Sequence, residues 1–156
     1  MTANLQIGDE APHFSLPSGD GEKLSAADFK GKNLVIFFYP KDDTPGCTKE
    51  SIAFSQARAD FQAADTEIVG ISSDSLKSHA KFTAKHELTV PLGSDEDKTA
   101  VEAFGVWVEK NMYGRKYMGT ERATFLIDKQ GKIAQIWRKV KVKGHVEAVL
   151  DAAKAL

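Results

Sequence analysis

One apolar run constrains the fold more than any other stretch: Leu34-Val35-Ile36-Phe37-Phe38. It is too short to cross a membrane, and it reads as a strand buried on both faces. Such a strand needs a covering layer on each side. Immediately beyond it comes Tyr39-Pro40-Lys41-Asp42-Asp43-Thr44-Pro45-Gly46-Cys47-Thr48-Lys49-Glu50, which holds the chain's single cysteine. After Cys47 the residues Phe54, Ala57 and Phe61 recur at helical spacing, so the thiol sits where a central strand hands over to a helix. A free cysteine is more often a small buried hydrophobe. At a helix mouth, between Gly46 and Thr48, it is placed for chemistry.

The rest of the chain supplies the covering layers. Phe14 and Leu16 alternate with polar neighbours as in a short half-buried strand, and Asp20-Gly21 marks a hairpin turn before Lys23-Leu24. Ser25 caps a brief helical turn over 26–29 that Gly31 stops. A second buried strand covers 67–72, followed by a helix to about Glu87 that Asp74 or Ser75 can cap. A short extended piece covers 90–92. Asp95-Glu96-Asp97 loads acid at the start of another helix running through Phe104. Residues 106–113 alternate, and Tyr113-Gly114-Arg115 reads as a turn. Segments 123–127 and 132–137 flank Asp128-Lys129-Gln130-Gly131 as a hairpin, and 145–156 form a last amphipathic helix with Val146, Val149, Leu150 and Ala153 on one side. This order implies an α/β fold: a mixed sheet flanked by helices on both faces, in the thioredoxin-like arrangement, as a single domain over residues 1–156.

Composition narrows the function classes. A net charge of −1 over 156 residues gives no general affinity for nucleic acid or acidic membranes. Met1-Thr2-Ala3-Asn4-Leu5-Gln6 lacks the basic start and apolar core of a signal peptide. One cysteine cannot form an internal disulfide, so the expected compartment is the cytoplasm.

The residues around the thiol resemble a known family. Pro40-x-x-x-Thr44-x-x-Cys47 is similar to the active-site signature of the peroxiredoxins, and Phe38 to Glu50 looks like the bacterioferritin comigratory protein, or peroxiredoxin Q, branch. Gly8-Asp9-x-Ala11-Pro12-x-Phe14-x-Leu16 resembles the start of that branch. Arg122-Ala123-Thr124-Phe125-Leu126-Ile127-Asp128 resembles the segment bearing its active-site arginine. The resemblance implies a thiol-dependent peroxidase without a cofactor or metal. In it, Cys47 attacks a peroxide oxygen, Thr44, Gly46, Cys47 and Arg122 bind the peroxide, and Pro40 shields the sulfur. It also implies a peroxide substrate and, given the branch, a monomer.

The physical demands agree with those roles. Shifting an ordinary thiol from its usual 8.5 to roughly 6 takes about 3.4 kcal/mol. A helix N-terminus contributes at most ~2 kcal/mol, and a cation at hydrogen-bond range can supply the rest. Ionisation alone gains roughly thirty-fold at most, so larger acceleration must come from aligning the peroxide and stabilising the departing oxygen.

The chain departs from the branch at the resolving cysteine. Ile52 stands five residues after Cys47, and the 75–87 helix has no cysteine, with Thr83 at the corresponding place. The expectation is a one-cysteine cycle in which an external thiol (thioredoxin, glutaredoxin or glutathione) reduces a sulfenic acid. The alternative is a non-catalytic thioredoxin-fold binding or chaperone module with a structural thiol. Other signals read as ordinary. The basic run Arg138-Lys139-Val140-Lys141-Val142-Lys143 suggests a solvated edge or loop, with docking of an acidic reductant as the lesser option. His79 and His86 share a helix face without further ligands, His13 and His145 stand alone, and Trp107, Met112, Tyr113, Tyr117 and Trp137 read as core and rim packing.

Overall fold

The computed structural model describes residues 5–18 and 23–156, and the Asp20-Gly21 turn lies outside them. Strands β1 (Ser15–Pro17) and β2 (Lys23–Ser25) pair antiparallel. Ser25 opens a 3₁₀ turn (Ala26–Phe29), its N–H donating to Asp28 Oδ2 at 3.1 Å. The chain then enters β3 (Asn33–Phe38), all six residues of which are buried. Next come α1 (Pro45–Ala63), β4 (Thr66–Ser72), α2 (Leu76–His86) and β5 (Leu92–Ser94). The second half supplies α3 (Thr99–Ala103), β6 (Trp107–Met112), β7 (Arg115–Thr120), β8 (Ala123–Ile127), β9 (Ile133–Trp137) and α4 (His145–Lys154).

Five strands form the central sheet in the order β5-β4-β3-β8-β9. β3, β4 and β5 run parallel, while β8 is antiparallel to both β3 and β9. The run at 34–38 thus lies in the middle. Its side chains alternate between two cores, as the period of two requires. Ile36 and Phe38 join Phe14, Leu16, Val69, Val101, Phe104 and Phe125 on one face. Val35, Phe37 and Tyr39 join Cys47, Phe54, Phe61, Phe82 and Val149 on the other, under α1, α2 and α4. Each fully buried phenylalanine contributes about 1.5–3 kcal/mol by removal from water. The sheet is therefore mixed and helix-covered on both faces.

Three local expectations change. Asp95 does not begin a helix. It is buried, its carboxylate accepts from Val101 N at 2.8 Å and Thr99 Oγ1 at 3.1 Å, and α3 starts only at Thr99. The extended piece lies at 92–94 rather than 90–92, because pairing with Gly70-Ile71-Ser72 fixes it there. β6 and β7 form a separate two-stranded ribbon whose turn puts Tyr113 (φ 53°) and Gly114 (φ 79°) in the left-handed region. Tyr113 is wholly exposed at its tip, and Met112 and Tyr117 are exposed too, so these three do not pack the core. The basic run is loop, outside every strand.

Candidate active site

The thiol's position follows from how α1 begins. Thr44 occupies the N-cap with extended backbone, and Pro45 takes the first helical position, where no N–H is needed. Cys47 is then the third residue of the first turn, buried at 1% exposure. By position, the N–H groups of Gly46 and Cys47 belong to the set that a helix leaves without acceptors of its own. The Thr44 side chain makes no cap bond: its hydroxyl donates to Lys41 O at 2.8 Å, while its carbonyl accepts from Thr48 N at 2.8 Å. The hydroxyl's donor is therefore used, and its oxygen remains an acceptor. Pro40, half-buried, ends the run out of β3.

A clamp absent from the sequence reading fixes this loop. Asp42 is buried and accepts from Tyr39 Oη, Ser78 Oγ and the His79 ring (Nδ1), each at 2.7 Å. Its N–H donates to Asp74 Oδ2 at 2.8 Å, and His79 Nε2 meets Gly93 O at 3.1 Å. Burial works to raise the Asp42 carboxyl, but hydrogen bonds from His79 and Tyr39 hold it below the usual value. Burial and Asp42 push Tyr39 well above its ordinary value, keeping it a neutral donor. Asp43, at φ 59°, accepts from His86 at 2.9 Å and Lys85 at 2.7 Å. Both α2 histidines therefore anchor the active-site loop. Asp42, Asp74 and His79 gather their donor atoms within 4.8 Å, a set that could hold a metal, though all three already bond within the clamp.

Arg122 arrives from the opposite direction, one residue before β8. Its Nη2 donates to Cys47 Sγ at 3.2 Å, and its Nη1 donates to Glu50 Oε1 at 2.8 Å. Gly46 lets the guanidinium lie this close, since a Cβ there would stand 2.9 Å from Nη2. Of the residues singled out from sequence, Cys47, Gly46 and Arg122 thus meet directly, while Thr44 occupies the N-cap position without a side-chain cap bond and Pro40 precedes it.

Three further groups surround the arginine. Glu50 is wholly buried one turn beyond Cys47, and burial raises its carboxyl to about 7 against the opposing pull of Arg122. His145, far from isolated, lies 4.0 Å from Glu50 Oε2 and 2.8 Å from Thr124 Oγ1. Burial and then the Arg122 charge lower it to about 4. Lys110 on β6 is lowered by burial and by Arg122. Spacing gave no sign of His145 or Lys110, because each comes from an element far from the thiol in sequence. Glu50 alone had a signal, one helical turn from the thiol.

A buried thiol held by a guanidinium at a helix start can be compared with known proteins. The AhpC/TSA family model matches residues 7–136. The chain belongs to the AhpC/TSA family. Its AhpC/TSA relatives include a putative peroxiredoxin Bcp of Coxiella burnetii, 49% identical over 147 residues (94% of this chain and 97% of the relative). Peroxiredoxin Bcp of Bacillus subtilis is 46% identical over 150 residues, covering 96% of each. Xanthomonas campestris peroxiredoxin Q superposes with TM-score 0.87 at 47% identity, covering 91% of this chain and 90% of that one. A mutant of Xylella fastidiosa PrxQ superposes with TM-score 0.93 at 39% identity, covering 98% of each. Within AhpC/TSA, then, the chain is a thiol-dependent peroxidase of the Bcp and peroxiredoxin Q kind, with a thioredoxin-like fold. The reading as a non-catalytic module falls away.

Proposed function

We propose that Cys47 is the peroxidatic sulfur of a one-cysteine cycle acting on hydrogen peroxide and organic hydroperoxides. The observation that carries this is the 3.2 Å contact from Arg122 to the sulfur at the start of α1. Positive charge and helix N–H groups favour negative charge on the sulfur and then on the departing oxygen. Thr44 Oγ1, its own proton given to Lys41, accepts the peroxide O–H and aligns the O–O bond with the sulfur. Gly46 and Cys47 N–H groups bind the second oxygen, and Pro40 limits water at the sulfur. Attack gives a sulfenic acid and water or an alcohol. With no second cysteine in the chain, an external thiol reduces it. A Xanthomonas campestris relative has been studied for alkyl peroxide reduction, which supports including organic hydroperoxides.

We place the reaction in the cytoplasm, in a single-domain monomer, with thioredoxin, glutaredoxin or glutathione as reductant. Among the described residues, no helix is long and apolar enough to cross a membrane. The deciding experiment is stopped-flow oxidation with hydrogen peroxide and with a bulky hydroperoxide, each reductant supplied in turn. Fast consumption that Cys47→Ser abolishes while the fold persists is the expected result. Consumption that survives Cys47→Ser refutes the assignment.

A further inference from the structure

Arg122 offers one positive charge to two acids. Nη2 reaches the sulfur at 3.2 Å and Nη1 reaches Glu50 Oε1 at 2.8 Å, with both acids buried. Two negative charges sharing one site push one partner back to its protonated form.

The carboxyl has the geometry of the protonated partner. Oε1 accepts from Arg122, as the carbonyl oxygen of a neutral acid would. Oε2 is buried without a hydrogen-bond partner, 4.0 Å from His145 Nε2. A bare ionised oxygen costs more there than a hydroxyl with a ring nitrogen nearby. The groups around the carboxyl come from several elements. Cys47 shares α1, Arg122 precedes β8, and neutral Thr124 on β8 bonds His145 of α4. Lys110 on β6 interacts electrostatically with Arg122 and Cys47. Burial outweighs Arg122 in setting the carboxyl to about 7, while His145, at about 4, stays uncharged and places no positive charge beside Oε2.

Resting on the peroxidase reading above, we propose that Glu50 carries a redox-linked proton: its carboxyl is protonated while Cys47 is a thiolate, and it ionises against Arg122 when oxidation removes the charge from the sulfur. The step balances. The sulfur's electron pair forms the S–O bond to the terminal oxygen of ROOH, the O–O bond breaks, and the sulfenic acid keeps the peroxide's proton. The departing RO⁻ takes up one proton, and Glu50 releases one. Glu50 does not touch the peroxide, so the two exchange through solvent. Sulfur is oxidised by two electrons and the peroxide reduced by two. Glu50 is thus a positioning residue that acts through Arg122, binding the guanidinium more tightly once the sulfur no longer needs it.

The test follows the Glu50 carboxyl by ¹³C NMR through a pH titration of reduced protein and of Cys47→Ser, whose hydroxyl carries no charge. The signal is assigned by its loss in Glu50→Gln. The expected midpoint lies near neutrality in reduced protein and at least about one pH unit lower in Cys47→Ser. Equal midpoints overturn the proposal. Should Glu50→Gln fold poorly, the assignment comes from a spectrum correlating the carboxyl with its own side chain, leaving the comparison intact. Sulfenic acid formation, scored by intact mass on the same reduced sample, reports separately on the peroxidase reading. Sulfenic acid with equal midpoints removes only the redox-linked proton, whereas no sulfenic acid removes the reading itself.

Discussion

Gly46 lies flat against Arg122: a methyl group on its α-carbon would stand 2.9 Å from Nη2 and 3.6 Å from Cζ. Two effects compete in Gly46→Ala. Alanine in a helix gains roughly 0.5–1 kcal/mol over glycine. Against that, the guanidinium must leave its place over the sulfur, and it cannot shift freely while Nη1 is held by buried Glu50. The expected outcome is stability within about 1 kcal/mol of the parent and a rate with peroxide lower by roughly 10- to 100-fold. Chemical denaturation and stopped-flow on the same sample check this. An unimpaired rate would show that the contact with the sulfur does not matter.

Gly70 answers a different demand. It lies on β4 directly beneath Phe37, and a Cβ there would come 2.6 Å from Phe37 Cζ and 2.8 Å from Leu92 Cδ2. Both neighbours belong to the close-packed core beneath α1 and α2. Gly70→Ala should therefore cost about 1–3 kcal/mol as overpacking. Because Phe37 stacks on Phe54 of α1 at 4.6 Å between ring centroids, some of the strain should reach the thiol's helix. Urea unfolding gives the first number, and the peroxide rate tests the second.

These two glycines show what the sequence could tell and what it could not. Local pattern sufficed for β3, α1, the β8–β9 hairpin and α4, which showed as an unbroken apolar run, apolar residues at helical spacing, two runs flanking a glycine turn, and an amphipathic stripe. The pairing of Cys47 with Arg122 was accessible through resemblance, because 75 residues separate the two and no spacing rule links them. Glu50, His145 and Thr124 were illegible as a group. They come from a helix turn, the start of α4 and the start of β8, and only the antiparallel seat of β8 beside β3 gathers them. The Asp42–His79 clamp escaped for the same reason, as did the spent donor of Thr44. An acid-rich stretch read as a helix start proved otherwise because Asp95 is buried and caps from a distance.

The lone thiol has consequences for oxidation. A sulfenic acid with no partner in its own chain should proceed to sulfinic acid when peroxide exceeds reductant. Intact mass after a peroxide titration should then show two added oxygens on Cys47, and a product that stops at one counts against it. α1 has no second thiol to meet, so it has no need to unwind. Amide protection over Pro45–Ala63 should be the same before and after oxidation. Broad loss of protection there would mean that the helix melts during the cycle after all.

Glu50 and His145 act oppositely on the pH dependence of stability. The Glu50 carboxyl is raised from 4.5 to about 7, so its contribution is fully present below pH 4.5 and is lost as pH climbs to 7. His145 is lowered from 6.5 to about 4, so its contribution is present above 6.5 and is lost as pH falls to 4. Between roughly pH 4.5 and 6.5 the two slopes, each about 1.4 kcal/mol per pH unit, nearly cancel. Glu50→Gln removes one of them. Relative to the parent, the variant should gain stability as pH rises across that window, by roughly 2–3 kcal/mol, because only the parent carries a carboxyl that stays protonated when folded while it ionises in the unfolded chain. Between pH 4.5 and 6.5 the variant alone should show the His145 decline. Urea midpoints at half-unit pH steps for both proteins measure the difference. A difference that does not change with pH would mean that Glu50 is ionised throughout, held so by Arg122.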